Sequence, residues 1–357
     1  MVWQGRLDAA LQRCSSRPLG QLEPEVLTAL RIGAAQMLVL GIPAHAAVST
    51  STSCTAGKAS RGYVNAVLRA LARTGEDQDA PPWTRLSHPE SLYRRWESRY
   101  GEEGAASLMS WDNEVPPVGA YSSPEDGSGG GGRFLAGYRP LERSGQLASE
   151  GLPAGAYIQD EAAAVVAEGA ASLPGRIVLE VGAAPGGKTA HLDRKAFLVA
   201  SLEISRERLS PWLENSARLG WSSSVPVVGD GASLPFGKCD KIVLDAPCTS
   251  TGVLRRRPDA RWRWSPQRLV QCVLLQRRLL AEAARTIRPG GILVYSVCSL
   301  EPEEGRDQAV QFEADFPSFR RIDYPAPAVL VRDGMVDIFP PEHGIDGHFA
   351  VAWIQEI

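Results

Sequence analysis

Long hydrophobic runs are missing from this chain. No stretch reaches the ~18–20 consecutive apolar residues that a membrane-spanning helix needs. Six cysteines are spread over 357 residues without a single CxxC pair, which excludes the spacing of a structural zinc site and gives no disulfide framework. The opening MVWQGRLDAALQRC carries no signal-peptide pattern, so the expected setting is a reducing cytoplasm with no membrane partner. A strong charge of either sign is missing too. The net charge is −3, so a nucleic-acid partner has to be read from where the charges lie, not from their sum.

What is present is enough apolar residue, 44%, for ordinary cores in two or three domains of ~150 residues each. Residues 1–80 read as all-helical. In LEPEVLTALRIGAAQMLVLGIP, Pro24 stands at a first helical position and Val26, Leu27, Leu30, Ala34, Met37 and Leu38 recur at helix spacing until Gly41 and Pro43. GYVNAVLRALART repeats the pattern, with Val64, Val67, Leu68 and Leu71 on one face. Residues 81–150 read as a connecting segment, with core candidates Leu92, Trp96, Tyr100 and Leu108 and a low-complexity stretch PEDGSGGGG at 124–132. From 151 to 357 strands and helices alternate: IVLEV, FLVASLE, VPVVGD, KIVLDAP, GGILVYSVCS and the closing HFAVAWIQEI are the strands. Alternation of this kind predicts an α/β fold with a mostly parallel sheet and helices on both faces.

The stretch IVLEVGAAPGGKTAHL, Ile177–Leu192, is a strand running through a Gly-rich turn toward a helix, an arrangement that presents backbone N–H groups to a ligand. Two ligands compete for it. Gly182, Gly187, Lys188 and Thr189 satisfy GxxxxGK[ST] letter for letter, the pattern of a nucleoside triphosphate loop. The same loop serves S-adenosylmethionine when an acidic residue after the next strand receives the ribose and a polar residue after the third receives the adenine. Glu203, 21 residues beyond Gly182, and Asp230 stand at those two places.

Two further strands end in cysteine, DAPC at Asp245–Cys248 and SVCS at Cys298. In a sheet of this kind chemistry gathers at the carboxyl ends of the strands, so both thiols are expected in one cleft. Carbon 5 of cytosine is a poor nucleophile, and a thiolate adding to carbon 6 makes it reactive toward a methyl donor. Asp245 is placed to help at ring nitrogen 3. On chemistry alone either thiol can attack. Between Arg255 and Arg278 eight arginines meet one acid, Asp259, with Trp262 and Trp264 interleaved. That composition suits an RNA backbone and an unstacked base, and it makes Arg255, Arg256, Arg257, Arg261 and Trp262 candidate RNA contacts.

VGAAPGGKT, DAPCTSTGVLRRRPDARW and SVCSLEPEE together resemble the signature blocks of the Nop/Sun family of RNA cytosine-5 methyltransferases, and within it the bacterial small-subunit ribosomal RNA branch (RsmB, Sun or Fmu). PAHAAV with GYVNAVLRALA resembles the end of that branch's NusB-like helical domain, here shortened, and HGIDGHFAVAWI its closing strand. The resemblance covers about nine-tenths of the chain. It implies a Rossmann-like class I methyltransferase domain, with Cys298 as nucleophile, Cys248 assisting product release and Asp245 at the cytosine. It also implies a cofactor loop of Gly182, Ala183, Ala184, Pro185, Gly186, Gly187 and Lys188, with Glu203 and Asp230 completing the S-adenosylmethionine site. The implied partner is RNA, ribosomal before transfer RNA, with a monomer as the default. Rival readings are a P-loop NTPase, a reaction that uses Cys248 for the attack as DNA cytosine methyltransferases do, and an assembly factor that binds RNA without catalysis.

Overall fold

A computed structural model describes residues 2–122, 130–141 and 155–357. The described residues form two compact units, Met1–Glu114 and Val115–Ile357. Most of the low-complexity stretch expected at 124–132 lies outside them.

The first unit is helical: α1 (Gln4–Cys14), α2 (Pro24–Leu38), α3 (Ala44–Ser53), α4 (Lys58–Thr74) and the long α5 (Glu90–Asp112). Pro24 opens α2 at the position where its missing N–H costs nothing. Val64, Val67, Leu68 and Leu71 of α4 are buried as their spacing predicts, packing with Leu11, Leu30 and Val48. Leu92, Trp96 and Leu108 are buried in α5, while Tyr100 is only half-buried beside Gly101, whose φ of 74° kinks the helix.

The second unit starts with a small antiparallel sheet of β1 (Val118–Tyr121), β2 (Tyr138–Leu141) and β3 (Tyr157–Ile158). Helix α6 (Glu161–Ser172) follows, capped by the Asp160 carboxylate accepting from Ala163 N–H at 2.9 Å. Then come β4 (Ile177–Val181), the single turn α7 (Thr189–Leu192), β5 (Leu198–Glu203), α8 (Ser210–Leu219), β6 (Ser224–Val228) and β7 (Cys239–Asp245). The chain finishes through α9 (Pro266–Thr286), β8 (Ile287–Val297), α10 (Arg306–Asp315), β9 (Phe319–Ile322), β10 (Val331–Arg332), β11 (Met335–Asp337) and β12 (Phe349–Gln355).

The large sheet runs β10-β11-β12-β8-β7-β4-β5-β6, with β9 added on β12. Pairs among β4 to β8 are parallel, whereas every pair involving β9 to β12 is antiparallel. The expectation of a mostly parallel sheet therefore holds for one half only. After β8 the connections carry one ten-residue helix and otherwise only single helical turns and loops, and the chain folds back against its neighbour instead of crossing over. Apolar clusters cover both faces: Leu279, Leu280 and Phe312 of α9 and α10 pack on one, and Ala162, Val165 and Val166 of α6 on the other. The parallel half aligns the carboxyl ends of β4, β5, β6, β7 and β8, where the predicted site residues stand.

Candidate active site

β4 ends in Gly182, whose φ of 82° is a backbone state that L side chains avoid. A Cβ there would lie 2.4 Å from the Asp245 carbonyl oxygen, so only glycine lets this turn close against the end of β7. Gly182 and Ala183 both donate to the Leu202 carbonyl, at 3.0 and 3.1 Å, tying the turn to β5. Behind it, buried Glu180 accepts from Thr189 Oγ1 at 2.6 Å and Ser201 Oγ at 2.8 Å. The helix expected to open at Lys188 is only the one turn of α7.

A cavity of about 960 Å³ opens at these strand ends. Gly182, Ala184 and Pro185 line it, with Glu203 from the end of β5 and Asp230 following β6. Ala183, Gly186, Gly187 and Lys188 are not among its lining residues. Glu203 is almost fully buried; its carboxylate accepts from Ile204 N–H at 3.0 Å and pairs with Arg208 at 3.3 Å. Asp230 accepts from Ala232 N–H at 2.9 Å. The same cavity reaches Asp245, Cys248 and Cys298.

The two sulfur atoms are 3.5 Å apart. Parallel pairing of β7 with β8, Asp245 beside Ser296, places the turns that carry them side by side. Both cysteines are free thiols. The hydrogen bond from Cys248 draws the Cys298 thiol below its ordinary value; Ser250, 3.7 Å away, and Lys188 act the same way, against burial and Asp245. Cys248 is pushed well above its ordinary value by that same bond and by burial. The two are driven in opposite directions, Cys298 toward the thiolate and Cys248 toward the thiol. Asp245 takes Lys188 Nζ at 2.6 Å and Ser296 Oγ at 3.1 Å.

A further set of buried contacts, invisible in local sequence spacing, holds the thiol turns. Fully buried Glu304 accepts from Thr249 N–H at 2.9 Å, Thr249 Oγ1 and Ser299 Oγ at 2.5 Å, and Gln276 Nε2 at 3.1 Å. One carboxylate thus bridges the residue after Cys248 to the residue after Cys298. The SLEPEE segment gave only an acid-rich turn, with no indication that one of its glutamates faces inward.

The arginine-rich segment divides. Arg256 and Arg257 line the cavity, Arg257 exposed. Arg255 and Arg261 are buried, which corrects their assignment as RNA contacts. Arg255 and Arg256 both pair with the buried carboxylate of Asp346, and Arg256 also reaches the Pro117 carbonyl at 2.9 Å. Trp262 is half-buried and is not among the cavity-lining residues. Of the four remaining cysteines, Cys239 is buried, Cys14 and Cys272 are half-buried and Cys54 is exposed.

The family model described as 16S rRNA methyltransferase RsmB/F matches residues 171–354, across this whole site. The chain belongs to that family. A NusB family model matches residues 1–73. The ribosomal RNA small subunit methyltransferase B of Thermus thermophilus is 32% identical over 359 residues, 96% of this chain and 83% of its own length. The enzyme of the same name from Pseudomonas putida is 31% identical over 387 residues, 99% of this chain and 87% of its own. Among solved structures, the protein PH0851 superposes with a TM-score of 0.83 at 22% identity, covering 99% of this chain and 87% of that one. NSun6 from Pyrococcus horikoshii, solved with SFG, gives 0.62 at 20%, covering 75% and 98%. These two show the fold.

As a member of the family the chain is an RNA methyltransferase, and its cofactor is S-adenosylmethionine. The residues present fit that group. Gly182, Ala184 and Pro185 line the cavity with their turn, and buried Glu203 offers acceptor oxygens beside it at the end of β5. The P-loop reading falls with this assignment, since Lys188, which would have to reach phosphates, is buried against Asp245.

Proposed function

We propose that this chain methylates carbon 5 of a cytosine in small-subunit ribosomal RNA through a covalent adduct with Cys298. The observation that carries the reading is the thiol pair, 3.5 Å apart and driven in opposite directions, opening on the cofactor cavity. A methyltransferase acting on a nitrogen or oxygen nucleophile has no use for either thiol.

When bound, S-adenosylmethionine supplies an electrophilic methyl group. In this reading Glu203 holds the ribose hydroxyls, Asp230 the adenine side, and the Gly182–Lys188 turn the remaining cofactor edge. The Cys298 thiolate adds to carbon 6 of a cytosine turned out of its stack. Addition pushes charge onto ring nitrogen 3 and carbon 5. Asp245, bonded to the Lys188 ammonium, meets the cytosine edge, and the pair shares a proton with nitrogen 3 as charge builds there. Cys248 donates to the sulfur of Cys298 when that sulfur leaves carbon 6. Arg256 and Arg257 at the cavity meet phosphates of the RNA.

Replacing Cys248 with Ala removes the donor to the departing thiolate and leaves the attacking sulfur of Cys298 in place. On a denaturing gel that variant is expected to hold RNA covalently, and the band is expected to vanish in the Cys248→Ala, Cys298→Ala double variant. No band with Cys248→Ala, or a band that survives loss of Cys298, overturns the assignment.

A further inference from the structure

The covalent-adduct reading leaves one atom without a destination. After methyl transfer, carbon 5 carries both the methyl and its original hydrogen, and that hydrogen must leave as a proton before aromaticity returns. Cys248 is a poor acceptor, because burial and the adjoining Cys298 sulfur push its thiol well above its ordinary value. The acceptor has to be a basic, unprotonated group on the Cys298 side of the ring if the methyl arrives from the other side.

His348 meets those requirements. Phe349 of β12 pairs with Val297 of β8 in antiparallel register. His348 directly precedes Phe349 and Cys298 directly follows Val297, so this pairing brings the two segments side by side just past the ends of β12 and β8. His348 and both cysteines line the same cavity. The residue is only 6% exposed, and its Nδ1 is buried with no hydrogen-bond partner among the described residues, unusual for a polar atom that has no ligand to receive. Its loop is pinned to the thiol turn, with Gly347 N–H donating to the Gly252 carbonyl at 2.8 Å and Gly252 N–H to the Cys298 carbonyl at 3.1 Å. That approach tolerates no side chain: a Cβ on Gly252 would lie 2.2 Å from the Gly347 carbonyl oxygen. Burial lowers the basicity of the imidazole and Lys188 adds to this, against the carboxylates of Asp160, Asp245 and Asp346. The resting ring is therefore neutral, as an acceptor must be.

Resting on the covalent-adduct reading, we infer that His348 is the base that removes the carbon-5 proton. The carbon-5–hydrogen bond breaks toward an imidazole nitrogen, its electrons form the carbon-5–carbon-6 double bond, and the carbon-6–sulfur bond breaks. Its electron pair leaves on Cys298, which Cys248 stabilises by hydrogen bonding. The products are 5-methylcytosine, a Cys298 thiolate and an imidazolium that returns its proton to water.

The test uses the full chain, S-adenosylmethionine and unmodified 16S ribosomal RNA carrying tritium at carbon 5 of cytosine. With His348→Ala, the first methyl transfer is expected at the wild-type rate. Tritium release and free product are expected to slow about 100-fold, within the usual range for loss of a general base, while a methylated adduct accumulates. Added imidazole should restore release in His348→Ala and leave Cys248→Ala stalled. His348→Phe keeps the bulk, so it should stall with no rescue, and it serves if the alanine variant fails to fold. Release at the wild-type rate in either folded variant overturns the inference, as does slowing that begins before methyl transfer. If wild-type protein places no methyl on carbon 5, the covalent-adduct reading itself fails; if it does and the His348 variants are indifferent, only the base assignment falls.

Discussion

Lys188 Nζ and Asp245 Oδ2 lie 2.6 Å apart, the ammonium buried and the carboxylate facing the cavity. This contact joins the cofactor turn after β4 to the end of β7, one strand away from Cys298. The lysine that made the turn resemble a phosphate loop is a positive charge held behind the reacting groups. It favours the Cys298 thiolate. Lys188→Met should raise the pH at which Cys298 is alkylated by iodoacetamide, followed by mass spectrometry of its peptide. A shift of one pH unit would slow alkylation at neutral pH on the order of tenfold. An unchanged or lowered midpoint would contradict the electrostatic link.

Two neighbouring arginines should behave differently. Arg255 is buried with Asp346, and Arg255→Ala removes one of the two arginines that pair with this buried carboxylate, at a cost of up to about 3–5 kcal/mol. Thermal unfolding should show a large loss for it. Arg257 is exposed at the cavity. Arg257→Glu should leave unfolding and S-adenosylmethionine binding unchanged and weaken RNA binding. The slope of log affinity against log salt should fall by about 0.7 for each lost single-strand phosphate contact. Equal stability loss in both variants would mean that the whole segment is structural.

That division shows where sequence reading stops. The eight arginines are visible as composition, but Asp346, the partner that buries Arg255, is 91 residues further on, and local spacing carries no trace of it. The turn at Gly182, the acids Glu203 and Asp230 and the thiols at two strand ends were legible because each sits within a few residues of its own strand. Glu304, Asp346 and His348 were not, because each acts through contacts made across the fold. The antiparallel half of the sheet was missed for a related reason. β9, β10 and β11 are only two to four residues long and too short to show a period.

Two buried groups near the cofactor turn pull stability in opposite directions with pH. Burial raises Glu180 to about 7 and lowers His191 to about 4. For Glu180 the folded state binds the proton more tightly than the unfolded chain, so its contribution is lost as pH rises from about 4.5 to 7. For His191 the unfolded chain binds the proton more tightly, so stability is lost as pH falls from about 6.5 to 4. Each is worth about 3 kcal/mol, and over the shared window they largely offset. Urea unfolding from pH 4.5 to 6.5 should show Glu180→Gln gaining stability with rising pH and His191→Gln losing it. Parallel curves for the two variants would refute the assignment.

Glu304 should matter for stability as well as for placing the thiols. Glu304→Ala orphans buried Thr249 N–H, at about 1–3 kcal/mol. Glu304→Gln keeps the shape and should lose less. Thermal unfolding ranks them, and a wild-type midpoint for Glu304→Ala would rule out the buried bridge.

The most direct test of cytosine-5 methylation incubates the full chain with methyl-labelled S-adenosylmethionine and unmodified 16S ribosomal RNA, then digests the RNA to nucleosides. Labelled 5-methylcytidine is expected with the wild-type chain and none with Cys298→Ala. Label on any other nucleoside, or undiminished 5-methylcytidine from Cys298→Ala, would contradict the proposed reaction.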